Sequence, residues 1–305
     1  MNARAEWLDR LLYRDGRVRP GWRILLFFAV FVFLSIAGQF LIVVLPRHPL
    51  EWGSLIVTTL AALAAGWIAI SQLDGRHFGA LGFPLHARVP RETLIGIGFG
   101  GVLIGAAVLL LLLTGAAGFA PDAGSIPGYL FFVAWTFLFF AIAATWEEAI
   151  FRGYPYQVLV EWIGAWPATL LASALFAFLH GQNPNVTSLA LANIFLAGVL
   201  LSFAYLRTRS LWFATAVHLG WNWGMATLFD FPVSGLVFDT PLYTGVPLGN
   251  DWWTGGPFGP EAGVAGTIVL AAGTLWIIRT RRIEADPEMK RLEPLVDARL
   301  KGEAP

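Results

Sequence analysis

The protein has 305 residues, of which 57% are hydrophobic and 13% are charged, and its mean hydropathy is +0.65. Soluble domains carry about 25% charged residues, so this composition indicates an integral membrane protein. The 20 basic and 20 acidic residues cancel, which excludes the strongly basic chain that binds nucleic acid. The lack of cysteine excludes disulfides, iron–sulfur clusters and thiol nucleophiles.

Long apolar runs follow one another along the chain. A bilayer core about 30 Å thick requires about 20 apolar residues for each helix. The runs expected to cross it are Ile24–Leu45, Trp52–Leu73, Thr93–Phe119, a run from Tyr129 to its first charge at Glu147, Ile163–Leu179, Val186–Leu206, Leu211–Phe229 and Ala262–Ile278. The fourth run regains apolar character after its charges, so one long helix over 129–162 is expected, bent near Pro155. The predicted fold class is an all-α, polytopic membrane helix bundle with about eight transmembrane helices.

Arginine residues mark the loops on one side of the predicted bundle. They are concentrated in the segments 1–23, 74–92, 207–210 and 279–282, whereas the alternate loops are almost free of basic residues. Because cytoplasmic loops carry the excess of Lys and Arg, the N- and C-termini are predicted to be cytoplasmic. The predicted location is a multi-pass position in a bacterial-type plasma membrane.

The chain divides into three predicted parts. Residues 1–23 form a cytoplasmic segment, which is either an amphipathic helix on the inner leaflet or a polar tail. Residues 24–279 form the transmembrane bundle, and residues 280–305 form a solvated cytoplasmic tail. Within the bundle, the stretch 235–261 is rich in Gly and Pro and is predicted to be an outer loop at the membrane interface.

Three charged residues lie in the middle of the stretch 129–162: Glu147, Glu148 and Arg152. An ionisable group at this depth costs about 2.5–3.5 kcal/mol, so such groups are candidates for function. On a helix, Glu148 and Arg152 are four residues apart and can pair, whereas Glu147 is rotated about 100° away. Glu147 is therefore a candidate general base. The alternative is that all three charges form a structural ion-pair network.

Two histidines and an asparagine add to this polar set. His180 ends the fifth run, and His218 lies inside the seventh, four residues before Asn222. Polar residues from three different spans, with almost no other ionisable group in the membrane, are typical of a buried site between facing helices. The remaining histidines carry little functional weight because they lie in predicted loops: His48, His77 and His86.

These residues are compatible with two routes of peptide hydrolysis. In the first, Glu147, His180 and His218 bind one divalent metal such as zinc, which activates a water. In the second, no metal is used: Glu147, assisted by His180, deprotonates the water, while His218 and Asn222 stabilise the oxyanion. The residues alone leave the two routes equally open.

The motifs resemble those of the CAAX-protease and bacteriocin-processing (CPBP) intramembrane proteases, also called Abi or type II CAAX prenyl endopeptidases. That family carries EExxxR, FxxxH and HxxxN or HxxxD in this order. The matching residues lie within about 129–230: Glu147, Glu148 and Arg152, then Phe176 and His180, then His218 and Asn222. The resemblance implies a membrane endopeptidase in which Glu147 activates water, Asn222 binds the oxyanion and Arg152 forms a supporting ion pair.

The predicted function is hydrolysis of a peptide bond in a membrane-associated, lipidated or unlipidated protein. The expected partners are this protein or peptide substrate and membrane lipid, and no nucleic acid is expected. The alternatives are a proton-coupled transporter, since Glu and His inside spans also build proton relays, and a catalytically silent immunity or scaffold protein.

Overall fold

A computed structural model describes residues 3–14, 16–44 and 52–300. The chain is mostly helical, with four short strands. The helices are α1 Ala3–Leu12, α2 Pro20–Val44, α3 Gly53–Asp74, α4 Val89–Leu113, α5 Ile126–Phe151, α6 Tyr154–Ile163, α7 Ala165–Leu179, α8 Ser188–Thr208, α9 Leu211–Trp223, α10 Asp251–Thr254, α11 Val264–Arg279, α12 Pro287–Arg291 and α13 Leu295–Leu300. The strands are β1 Tyr13–Arg14, β2 Arg17–Val18, β3 Ala117–Pro121 and β4 Tyr243–Pro247. The end of the first predicted span at Leu45 and the loop with His48 lie outside the described residues.

The prediction of an all-α membrane helix bundle is confirmed. Within the described residues, five helical stretches are long and apolar enough to cross a membrane: α2, α3, α4, the stretch of α5 and α6, and α8. The apolar helix α11 is shorter, with 16 residues. The remaining predicted runs correspond to α7, with 15 residues, and α9, with 13. A turn of π-helix over Gly224–Leu228 extends α9.

The prediction of one long helix bent near Pro155 is wrong. The helix ends at Phe151, and a new helix, α6, begins at Tyr154. Pro155 lies in the first turn of α6, where a missing N–H costs nothing and the fixed φ favours the helix. The break is at Gly153, where a Cβ would collide with the carbonyl oxygen of Ala149.

Helices α4 and α9 approach each other closely through glycine. A Cβ at Gly100 would collide with the carbonyl oxygen of Val217, and one at Gly220 with that of Ile97. Small residues allow this backbone approach in membrane bundles. The contact fixes α9 against α4 on both sides of His218.

A set of ion pairs, called the ion-pair cluster below, joins the N-terminal segment to α3 and α6. It consists of Arg17, Arg23, Asp74, Tyr154 and Glu161. Arg17 binds Asp74 and Glu161 at 2.8 Å each, and Arg23, only 2% exposed, binds the same two carboxylates. The hydroxyl of Tyr154 donates to Asp74 at 2.7 Å. The four carboxylate oxygens of the cluster therefore all have partners.

The stretch predicted to be an outer loop is ordered by hydrogen bonds to other elements. Strand β4 pairs antiparallel with β3, with Tyr243 opposite Pro121. The carboxylate of Asp230 accepts backbone hydrogen bonds from Thr240 and Gly245. This segment covers one end of the bundle core.

The C-terminal segment is not a solvated tail. It forms α12 and α13, and the side chains of Met289, Leu295 and Val296 are buried. The side chain of Gln157 accepts a hydrogen bond from the backbone N–H of Leu295, and Arg299 donates to the carbonyl of Trp162. The segment therefore packs on α6.

Candidate active site

Four of the six site residues predicted from the motifs line one cavity, and the other two lie behind its wall. The cavity has a volume of about 330 Å³ and is lined mostly by apolar side chains. Glu147, near the end of α5, and His180, which follows α7, both line it. His218 and Asn222, on α9, line it as well. Three separate helices thus contribute the polar part of its wall.

Glu147 lies between the two histidines. Its Oε2 atom is 3.9 Å from His180 Nε2 and 3.8 Å from His218 Nε2. This oxygen is buried and has no hydrogen-bond partner among the described residues. A buried carboxylate oxygen without a partner costs about 1–3 kcal/mol or more, so the arrangement suits a group that the protein itself does not supply.

The backbone of α7 orients His180. Its Nδ1 lies 2.8 Å from the carbonyl oxygen of Phe176. A carbonyl can only accept, so Nδ1 carries the hydrogen and Nε2 has its lone pair free. The ring of Phe176 also packs against the imidazole, with centroids 4.5 Å apart. The four-residue spacing of the FxxxH motif therefore fixes both the tautomer and the orientation of the histidine.

Glu148 orients His218 in the same way. Its Oε1 atom lies 3.0 Å from His218 Nδ1 and 2.9 Å from Arg152. Because a carboxylate paired with arginine accepts hydrogen bonds, Nδ1 of His218 carries a hydrogen, and in the neutral ring Nε2 is free. In their neutral forms, both imidazoles turn an unprotonated nitrogen towards Glu147.

Glu148 and Arg152 lie behind the cavity wall, and both are fully buried. Arg152 also donates to the carbonyl of Gly198 at 3.0 Å. Its guanidinium carbon lies 4.7 Å from the centroid of the Phe176 ring. The pairing of Glu148 with Arg152 agrees with their predicted helical spacing, but neither side chain reaches the cavity. Their geometry is that of positioning residues.

Asn222 lies one helical turn after His218 and is partly buried. Its amide has no hydrogen-bond partner among the described residues. A free amide N–H₂ in an apolar cavity is a donor that a substrate oxygen can use. His218 and Asn222, four residues apart on α9, therefore face the same cavity.

The donor types of the cavity suit a divalent metal, and Glu147 Oε2 lies close enough to each histidine, but the three donor atoms are not all within 4.8 Å of one another. Within the described residues, the group of three whose ligand atoms all lie within 4.8 Å of one another is His86, Glu92 and Asp286, and not Glu147, His180 and His218. Zinc binds nitrogen and oxygen at about 2.0–2.2 Å, so two of its ligand atoms cannot be more than about 4.4 Å apart. A water molecule, with hydrogen bonds of about 2.7–3.2 Å, bridges wider gaps.

Glu261 is a cavity residue that the sequence motifs do not identify. It is buried, and its carboxylate accepts hydrogen bonds from the backbone and hydroxyl of Ser234, at 2.7 Å each. It also accepts one from Trp221 Nε1 at 3.1 Å. Glu261 therefore ties the segment above the cavity to α9. The signal in the sequence is an acidic residue directly before the last apolar run.

His180 and His218 line the same cavity, and the short length of α7 is compatible with this. Residue counting places these histidines at different depths if both helices cross the whole bilayer. At 1.5 Å per residue, the 15 residues of α7 span about 22 Å, which is less than the 30 Å of a bilayer core. The end of this short helix brings His180 to within 3.9 Å of Glu147, which lies 3.8 Å from His218.

Comparison with protein families agrees with the motifs. Residues 129–224 match the family model described as Rce1-like, Type II CAAX prenyl endopeptidase Rce1-like. The match includes each predicted site residue, and it confirms the resemblance to CPBP-family membrane proteases. No curated protein matches the chain.

Proposed function

We propose that the protein is an intramembrane endopeptidase in which Glu147, positioned between two histidines, activates a water molecule. The observation that carries this proposal is the unpartnered Glu147 Oε2 atom within 4 Å of two imidazole nitrogens. A donor of two hydrogen bonds placed between these atoms would satisfy Oε2 of Glu147 and one of the two nitrogens. Water is the smallest such group, and it is the second reactant in peptide hydrolysis.

The reaction follows from the hydrogen-bonding capacity of each group. Glu147 takes one hydrogen of the water while a free Nε2 accepts the other, so that the oxygen lone pair attacks the peptide carbonyl carbon. The carbonyl oxygen becomes an oxyanion, to which the amide of Asn222 donates. Glu147 then transfers its proton to the amide nitrogen, and the C–N bond breaks. Water is consumed, and one carboxyl and one amino terminus are formed.

We propose a role for His218 other than the one expected from the sequence. With its Nδ1 hydrogen held by Glu148, a neutral His218 has no hydrogen on Nε2 to offer the oxyanion. We therefore assign the oxyanion to Asn222 and the orientation of water to the histidines. Glu148 and Arg152 hold His218 in place and do not contact the substrate.

The proposed mechanism uses no metal. If Glu147, His180 and His218 held zinc, the ion would supply Lewis acidity and a more acidic bound water. The spacing of their ligand atoms favours a bridging water instead.

The cavity supports an apolar stretch of a membrane-associated protein as the substrate, with or without a lipid. Its wall contains Leu, Phe, Ala and Val from several helices, among them Leu103, Phe140 and Val217. No Lys or Arg is among its lining residues. An uncharged peptide segment is therefore the ligand that suits it.

For the membrane arrangement, we propose eight spans with both termini in the cytoplasm. The five long apolar stretches and α11 agree with six of the predicted runs, and α7 and α9 would account for the other two as short segments. The arginine-rich segments then lie on one side, which is the cytoplasmic side of a bacterial-type plasma membrane. Helix α1 and the segment of α12 and α13 then lie on that same side.

The experiment that tests the proposed function is cleavage of quenched peptides by the purified, detergent-solubilised protein. The peptides carry apolar segments, each with and without a lipid. Glu147→Gln is expected to lower the rate by about 10²–10⁴-fold, the usual contribution of a general base. Glu284→Gln, the same change at an exposed position, is the matched control and should leave the rate unchanged.

Three outcomes would contradict the proposal. Well-folded protein that cleaves none of the peptides would favour a transport, immunity or scaffold role. Equal rates for Glu147→Gln and the unchanged protein would remove Glu147 as the base. Loss of activity in a chelator, with recovery on adding zinc, would overturn the metal-free mechanism.

A further inference from the structure

A second cavity lies at the start of the bundle, away from the proposed active site. Its volume is about 690 Å³. Its wall is formed by the end of α1, the hairpin of β1 and β2, the first turns of α2, and Trp162 at the end of α6. The lining residues that carry charge are four arginines: Arg14, Arg17, Arg19 and Arg23. No acidic residue is among the lining residues.

The fold explains why these arginines face one space. The β1–β2 hairpin pairs Tyr13 with Val18, which turns the chain back so that the start of α2 reaches the end of α1. The indole of Trp22 donates to the carbonyl of Leu11 at 3.1 Å, and this bond holds the two helices together. The cavity is therefore a built feature of the N-terminal segment.

Part of the positive charge is already neutralised. Arg17 and Arg23 share the two carboxylates of the ion-pair cluster. Arg19 has no carboxylate partner among the described residues: its Nε donates to the carbonyl of Arg10 at 2.9 Å. This bond orients the guanidinium and leaves its terminal nitrogens free for an anion.

An apolar surface continues from the cavity along α2. Leu25 lines the cavity and is 55% exposed, and Leu26, Phe33 and Ile36 are exposed further along the helix. Only 6% of the apolar window of α2 is buried inside the protein, so this helix faces lipid. Trp22 and Trp162 flank the opening, as tryptophans do at the membrane interface.

We propose that this cavity binds the phosphate headgroup of an anionic phospholipid, whose acyl chains lie along α2. Basic pockets between helices on the cytoplasmic side are the type of site that binds acidic lipid headgroups. The charge selects the phosphate, and the apolar face of α2 distinguishes a lipid from a soluble phosphate. The site is separate from the cavity of Glu147, so it does not depend on the proposed peptidase activity.

The test is lipid binding by the full-length protein in detergent, followed by native mass spectrometry and by the thermal unfolding temperature. Phosphatidylglycerol is expected to bind and raise the unfolding temperature, and phosphatidylcholine to do so much less. Arg19→Gln should weaken phosphatidylglycerol binding about tenfold, because charge-assisted hydrogen bonds contribute about 1.5–3 kcal/mol. Arg281→Gln, an exposed arginine outside the cavity, should leave binding unchanged.

Three results would overturn the proposal. Equal losses in Arg19→Gln and Arg281→Gln would reduce the effect to general attraction between basic segments and anionic lipid. Equal binding of the two lipids would remove the charge selection. Glycerol phosphate alone, if it stabilised the protein as well as phosphatidylglycerol does, would make the site one for soluble phosphate.

Discussion

Two buried polar clusters on consecutive helices differ in how their carboxylates are satisfied. In the ion-pair cluster, built around Glu161 on α6, each carboxylate oxygen has a partner. The cavity cluster, which consists of Glu147, Glu148, Arg152, His180 and His218, is built around α5. There, the Oε2 atoms of both glutamates lack a hydrogen bond within the described chain.

The difference separates a structural role from a functional one. Buried charges that are fully paired hold elements together, and removing one partner leaves an uncompensated charge. A buried polar atom without a partner lowers stability, so its retention calls for another explanation. Glu147 also faces a cavity, whereas no carboxylate of the ion-pair cluster lines either cavity described above. We therefore assign stability to one cluster and chemistry to the other.

The largest effect on stability is expected from Arg23→Gln. The change leaves Arg17, whose side chain is 41% exposed, as the one arginine paired with Glu161 and Asp74 within the described residues. Breaking a buried ion pair costs about 3–5 kcal/mol, so we expect a loss of this size in the free energy of unfolding in detergent. Arg281→Gln is the control. Peptidase activity per folded molecule should persist, and its complete loss in folded protein would contradict the division between the clusters.

A smaller effect, on activity, is expected from Glu148→Gln. The variant keeps the shape of the side chain but weakens its hold on Arg152 and His218. Partners that orient a site histidine contribute about 10–100-fold to activity, and we expect a loss in this range in steady-state cleavage. Ser202→Ala, which removes the long 3.5 Å contact to Arg152 and leaves Glu148 in place, should change the rate little. Equal rates in the two variants would argue against positioning by Glu148.

Glu261→Gln should have a moderate effect on stability. A glutamine offers one acceptor oxygen in place of two, so it cannot satisfy both Ser234 and Trp221. The lost hydrogen bond corresponds to about 0.5–1.5 kcal/mol in the free energy of unfolding. Glu288→Gln, on the partly exposed end of the chain, provides the comparison. An unchanged unfolding curve for Glu261→Gln would remove Glu261 as the tie between α9 and the covering segment.

The smallest expected effect is on the pH dependence of stability. It involves Asp230, which lies outside the membrane-spanning helices. Burial raises the pKa of Asp230 above its ordinary value, although the N–H groups of Thr240 and Gly245 lower it. The folded state therefore binds the proton more tightly than the unfolded state, and stability falls as pH rises from the unfolded to the folded pKa. Asp230→Asn should lack this part of the pH dependence of unfolding. Parallel curves for both proteins would contradict it.

The sequence predicted the cavity cluster better than the ion-pair cluster for a physical reason. Glu147 and Glu148 lie in an apolar run. Within each motif, two residues are four positions apart, which is the spacing of one helical turn: Glu148 and Arg152, Phe176 and His180, and His218 and Asn222. The partners of the ion-pair cluster are brought together by folding: Arg23 and Glu161 are separated by 138 positions. Such a pairing leaves no local pattern, so Arg23 reads only as one more cytoplasmic arginine.

Two other differences between prediction and structure arise because a local sequence pattern is compatible with more than one structure. A proline in an apolar run indicates either a kink or the first turn of a new helix, and Pro155 lies in the first turn of α6. The C-terminal segment reads as solvated because many charged residues lie between its apolar ones. Leu295 and Val296 are nevertheless buried, because the segment packs on α6.

The most direct test of the division between the clusters compares Glu147→Gln with Glu161→Gln. The substitution is the same, both side chains are glutamates in the stretch of α5 and α6, and cleavage rate and unfolding temperature are measured on the same preparations. We predict that Glu147→Gln abolishes cleavage and keeps the unfolding temperature, while Glu161→Gln lowers that temperature and keeps the cleavage rate of the folded fraction. The reverse pattern, or the same pattern in both variants, would contradict the account.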